Sequence, residues 1–103
     1  MLFHITMTHS AQNCPAYNHD DMPNMAEGLK KLEGLAKSVT VKIHFIVWAA
    51  PEHSAYALLE TDRLGNLAQF LNAIPIRQDF KVTPVENAQQ LAATSRAILK
   101  RTK

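Results

Sequence analysis

VTVKIHFIVWA, residues 39–49, and SAYALLE, residues 54–60, are separated only by Ala50, Pro51, Glu52 and His53. Both runs are rich in β-branched and aromatic residues. In the first, Val39, Val41, Ile43, Phe45 and Val47 alternate with Thr40, Lys42, His44, Ile46 and Trp48. Side chains on a strand repeat every two residues, so this alternation predicts a strand with two distinct faces. Two strands joined by four residues predict an antiparallel hairpin.

Working outward, Leu2–Thr8 (LFHITMT) places Phe3, Ile5 and Met7 on one face and His4, Thr6 and Thr8 on the other, which predicts a first strand. The loop HSAQNCPAYNHDD follows, long enough for function to be expected of it. Asp20 and Asp21 before Met22-Pro23 mark a helix start. Met22, Met25, Ala26, Leu29, Leu32 and Ala36 then recur at helical spacing, predicting one amphipathic helix to about Ser38. Gly28 and Gly34 weaken it, and their small size suits close approach to the sheet.

Beyond the hairpin, Thr61 or Asp62 is placed to cap a helix. Its stripe is Leu64, Leu67, Phe70, Leu71 and Ile74, and Pro75 ends it. RQDFKVTPV, residues 77–85, predicts a last strand, with Pro84 suited to an edge. A final helix carries Ala88, Leu91, Ala92, Ser95, Ile98 and Leu99 on one face. Asn87 with Gln90 is the preferred start over Thr83 with Glu86, because it lets the strand finish.

The predicted order is strand, helix, strand, strand, helix, strand, helix. That is a ferredoxin-like βαββαβ α+β fold with an extra C-terminal helix and a four-stranded antiparallel sheet. The 103 residues leave room for one domain, 1–103, around one core. With 47% apolar and 19% charged residues, the composition is that of an ordinary globular chain. A net charge of +2 is too small to call for nucleic acid or a membrane. The C-terminal Arg96, Lys100, Arg101 and Lys103 complement a helix dipole and lack the interleaved aromatics of a stacking platform. MLFHITMTHS has neither the basic segment nor the long apolar core of a signal peptide. No apolar run approaches 18 residues. The single cysteine excludes an intrachain disulfide and suits the cytoplasm. All three glycines fall in predicted helices, so no glycine-rich loop cradles a phosphate.

The core face is expected to bear Phe3, Ile5, Met7, Val41, Ile43, Phe45 and Val47. The face left open bears His4, Thr6, Thr8, His44, Ile46 and Trp48. An exposed Ile46 and Trp48 would mark a contact surface, and a homodimer with sheets facing one another would bury them.

Element order, length and this half-polar second face resemble the dimeric α+β barrel superfamily over residues 2–100. LFHITMTHS with a Cys-Pro soon after, and DFKVTPVEN, look most like its small uncharacterised members. The superfamily includes cofactor-free monooxygenases, muconolactone isomerase-like proteins and haem-degrading enzymes, and a related group binds nickel. The resemblance implies a homodimer holding a small molecule or metal ion.

Candidate chemistry centres on His4, His9, Cys14 and His44 as metal ligands, since imidazole and thiolate suit nickel, zinc, copper or iron. His4 and His44 point to the open face, two strands apart. His9 and Cys14 lie at a strand end and in the loop beyond. His19 and His53 can supplement them. The leading expectation is a metal- or small-ligand-binding barrel using the His-bearing sheet face. The alternative is a cofactor-independent oxygenase or isomerase, with Trp48 and Tyr56 holding a flat aromatic or quinone-like substrate and His4 or His44 moving protons. Asp79 and Lys81 would be polar cavity residues. A third reading makes the domain a structural partner only.

Overall fold

A computed structural model describes residues 1–14, 20 and 22–101. The expectations for His19, Asp21 and Lys103 lie outside the described residues. The elements are β1 (Leu2–Thr8), α1 (Met22–Lys30), α2 (Leu32–Ser38), β2 (Lys42–Ala49), β3 (Ser54–Glu60), α3 (Leu64–Ala73), β4 (Asp79–Val85) and α4 (Ala88–Arg101). Short 3-10 turns cover Ala11–Asn13 and Ala50–Glu52. The fold is α+β, with one antiparallel sheet in the order β2-β3-β1-β4. This is compatible with a ferredoxin-like arrangement, and β3 lies between β1 and β2 as expected.

The predicted hairpin is present, with Lys42 opposite Glu60 and Ala49 opposite Ser54. The core lies between one sheet face and the helices. Phe3, Ile5 and Met7 of β1 and Ala55, Ala57 and Leu59 of β3 meet Leu32 and Ala36 of α2 and Leu67, Phe70 and Leu71 of α3. Burying each of the larger side chains stabilises the fold by about 1.5–3 kcal/mol. Pro84 sits in β4, which pairs only with β1 at the sheet edge. There its missing N–H costs no ladder bond.

Three expectations are corrected. The first concerns strand phase in β2. The pairing slips between Ile43, opposite Leu59, and Phe45, opposite Leu58. His44 is the extra residue of a β-bulge, and a one-residue slip exchanges the two faces beyond it. Ile46 and Trp48 therefore pack against the core. Phe45 and Val47, expected inside, are 41% and 51% exposed.

Second, the helix expected up to Ser38 is two helices broken at Lys31. The Lys31 N–H donates to the Gly28 carbonyl at 3.1 Å, and Lys31 has φ −97 and ψ 2. Gly28 does permit a close approach, but to the Pro75 ring rather than to the sheet. A Cβ there would lie 2.4 Å from Pro75 Cγ. Third, Thr61 does not cap the first helical turn of α3. Its hydroxyl donates to the Thr40 carbonyl at 3.1 Å, and Arg63 holds the cap position without a side-chain bond.

At α4 the preferred start holds. The Gln90 N–H donates to Asn87 Oδ1 at 2.8 Å, and the Asn87 N–H donates to Gln90 Oε1 at 2.9 Å. These two bonds make a reciprocal capping box.

Candidate metal centre

β1 and β3 run antiparallel, and Thr8 is paired with Ser54. One residue beyond this pair, the chain ends of the two strands bring His9 beside His53. The His9 N–H donates to the His53 carbonyl at 3.1 Å, and the two rings meet edge to face with centroids 5.2 Å apart. His53 closes the 3-10 turn after Pro51 with φ 54 and ψ 38, and its N–H donates to the Ala50 carbonyl at 3.1 Å. A left-handed backbone is uncommon outside glycine, though histidine tolerates it better than most residues. This turn aims the His53 ring at His9 instead of away along the strand.

Cys14 arrives from the other side. After β1, Ser10 caps the turn Ala11–Asn13, accepting from the Asn13 N–H at 3.4 Å, and the Cys14 N–H donates to the Ala11 carbonyl at 3.2 Å. The turn folds the loop back and buries Cys14. One ligand atom each from His9, Cys14 and His53 then lies within 4.8 Å of the others, close enough to hold a metal ion. Among the described residues, no other group of three or more His, Cys, Asp or Glu meets that condition.

The three residues line a cavity of about 450 Å³ with Met22, Met25 and Leu29 of α1, Trp48 of β2 and Ile76. The lining is largely apolar, and its effect on the titratable groups is visible. His9 is held below its ordinary pKa of 6.5, first by burial and then by the charge of His53. Its neutral ring is the form that ligates a metal. Among the described residues, Nε2 of His9 is buried without a hydrogen-bond partner. Such an atom carries a desolvation cost of about 1–3 kcal/mol, which a bound cation would offset.

His4 and His44 stand elsewhere. Both emerge on the open sheet face, as strand phase predicts. There His4 lies against the Tyr56 ring, with centroids 6.4 Å apart, and Glu60 accepts a hydrogen bond from His44 Nε2 at 2.7 Å. Neither joins His9 and Cys14 at the sheet end. Beyond the bulge the two aromatic residues expected to hold a flat ligand, Trp48 and Tyr56, stand on opposite faces of the sheet. Trp48 pairs with Ala55 and packs on the core side, whereas Tyr56 is the next residue along β3 and faces away. Asp79 and Lys81 line up with Thr8 and Thr6 on the open face, away from the core.

Sequence reasoning therefore found two members of the cluster as ligands and ranked His53 behind them. The signal for His53 was available. If β1 and β3 are antiparallel neighbours, the residue after β1 must lie beside the residue before β3. No family model and no curated protein matches the chain. Among the described residues, no helix is long and apolar enough to cross a membrane.

Proposed function

We propose that the protein binds a transition-metal ion through His9, Cys14 and His53, for sequestration or sensing. The observation that carries this reading is the convergence of one thiol and two imidazoles within 4.8 Å. Bond lengths of about 2.0–2.3 Å in a tetrahedral N/S site imply ligand separations of roughly 3.5 Å. Loading therefore needs only a small inward movement of the turn that carries Cys14.

Imidazole and thiolate together favour zinc, copper or nickel over hard oxygen-seeking ions. The thioethers of Met22 and Met25 in the same cavity favour the softer end of that set. Three protein ligands leave a further coordination position, as in metal sites that exchange water or take a small ligand. The metal takes the thiolate of Cys14 and the neutral rings of His9 and His53, so protons compete with it for all three ligands and uptake strengthens as pH rises. A reduced thiol suits a cytoplasmic setting, which belongs to the same proposal. The element order and sheet support placing the chain with the dimeric α+β barrels.

Metal analysis of protein purified without a histidine tag tests the reading. About one ion per chain is expected, lost in Cys14→Ser and in His53→Ala and kept in His4→Ala and His44→Ala. Retention in both cluster variants, or loss in the sheet-face variants, overturns it.

The cavity itself supports a second reading, that of a binding site for a small apolar molecule. Its volume lies within the usual range for ligand pockets, and Trp48 offers a flat surface inside it. Metal-free protein that binds aromatic probes by way of Trp48, with no metal uptake at any site, would favour this alternative.

A further inference from the structure

The wall of the cavity around His9, Cys14 and His53 restricts the charge that a bound ion can carry. Besides those three residues, the described lining consists of apolar side chains, among them Met22, Met25, Trp48 and Ile76, and includes no Asp, Glu, Lys or Arg. Cys14 itself is buried. An ion held here is largely out of water, where an unbalanced charge is costly unless a counter-charge meets it.

The ligands set the balance. A metal takes Cys14 as the thiolate, with one negative charge, and His9 and His53 as neutral rings. Against that single charge, a divalent ion such as zinc or nickel leaves the site with one positive charge. The described lining offers no carboxylate to meet it. Such an ion must draw a second anion, hydroxide or chloride, into an apolar cavity. A monovalent ion leaves the site neutral with nothing imported.

Donor softness then selects the monovalent ion. Thiolate and thioether ligands select copper(I), whereas hard cations take oxygen. Met22 and Met25 stand three residues apart in α1, hence on one face of the helix, and both line the cavity. Their thioethers are neutral, so they complete the coordination without disturbing the charge. Copper(II) is disfavoured on both counts, being divalent and preferring tetragonal nitrogen and oxygen ligands.

We propose that the cavity is a copper(I) site, in which His9, Cys14 and His53 hold the ion and a thioether of Met22 or Met25 closes it from the α1 side. The proposal rests on the metal reading of the same three residues and narrows it to one oxidation state of one element. The apolar wall suits such an ion, because excluding water from a neutral complex costs far less than excluding it from a charged one.

The test measures copper(I) and zinc on the full chain without oxygen. Copper(I) is supplied in competition with bathocuproine disulfonate, and zinc in competition with a chromophoric zinc chelator. About one copper(I) per chain should be retained against the chelator, and lost in Cys14→Ser. Thiolates hold copper(I) tightly in many settings, so two variants decide the matter by separating softness from charge. Met22→Leu combined with Met25→Leu keeps the apolar volume and removes both thioethers. Copper(I) affinity should then fall about tenfold, while zinc affinity moves by less than about threefold. Met22→Glu puts a carboxylate in the wall, at the first residue of α1, where the helix dipole favours negative charge. Zinc should then bind about tenfold more tightly, and copper(I) should gain nothing. Far-ultraviolet circular dichroism checks that each variant keeps its fold, and the wild-type competition stands whatever the variants do. Copper(I) surrendered to the chelator, with zinc bound and lost in Cys14→Ser, overturns the copper(I) assignment and leaves the metal reading standing. Binding of neither ion overturns both. Folded variants that leave both affinities unchanged overturn the assignment, because neither the thioethers nor the charge of the wall then selects the ion.

Discussion

Replacing Gly28 with alanine should push α1 off its seat, and the matched change at Gly34 should not. A Cβ at Gly28 would lie 2.4 Å from Pro75 Cγ and 2.8 Å from its Cδ. Carbon atoms in contact prefer about 3.5–4.0 Å, so one of the two segments must move by an ångström or more. Pro75 is a ring, with no flexible end to swing aside. Overpacking of this kind costs about 1–3 kcal/mol, and removing a helical glycine returns up to about 1 kcal/mol. The net effect is a loss of roughly 0–2 kcal/mol. At Gly34 nothing lies within 4 Å of the added carbon. Only the propensity gain remains there, so Gly34→Ala should stabilise the protein by up to about 1 kcal/mol. The two variants should differ by about 1–3 kcal/mol, or several degrees in Tm for a domain of this size. Urea unfolding with an unchanged m-value measures the difference. Metal affinity should fall in Gly28→Ala, because Met22, Met25 and Leu29 of α1 form one wall of the cavity that holds the cluster. Equal stability of the two variants would refute the claim that the Gly28–Pro75 contact seats the helix.

Three further outcomes are expected. Glu60 is held below its ordinary pKa of 4.5, chiefly by the hydrogen bond from His44. The unfolded chain therefore binds more protons below pH 4.5, and the stability present above that pH is lost as it falls through the lower folded value. Thermal unfolding across this window should show a smaller acid loss in His44→Ala than in wild type, and parallel curves would remove the bond from the account. Trp48 is the single tryptophan and lines the cavity, so its fluorescence should change on addition of copper or zinc. No change should occur in His53→Ala. Asn87→Ala removes the acceptor of the Gln90 N–H and should cost about 1 kcal/mol of helix stability. Faster hydrogen exchange confined to the first turn of α4 would report it.

What the sequence conceals here follows from the physical range of each signal. The ends of β1 and β3 were legible to the residue, because period-two alternation is local and neither strand carries an irregularity. Asn87 was legible because a capping box is closed by residues three apart. The bulge at His44 was not, because the side chains of VTVKIHFIVWA satisfy both phases. Apolar residues stand at both 45 and 46 and at both 47 and 48, so the pattern alone fits either Phe45 and Val47 or Ile46 and Trp48 inside. The choice is made by the partner strand. Ala55 and Ala57 leave room on the core side that Trp48 and Ile46 occupy, while Tyr56 and Leu58 face Val47 and Phe45 outside.

That single slip determines the chemistry of both faces. Without it, Trp48 would lie beside His44 on the open surface and the cavity at the sheet end would lose its aromatic wall. With it, His44 remains within reach of Glu60, and Phe45 and Val47 turn out onto the open face. His9, Cys14 and His53 are insensitive to the slip. Their convergence depends on the β1–β3 register and on two tight turns, both outside the bulged segment. The metal reading therefore survives a change of phase in β2, whereas the sheet-face readings do not.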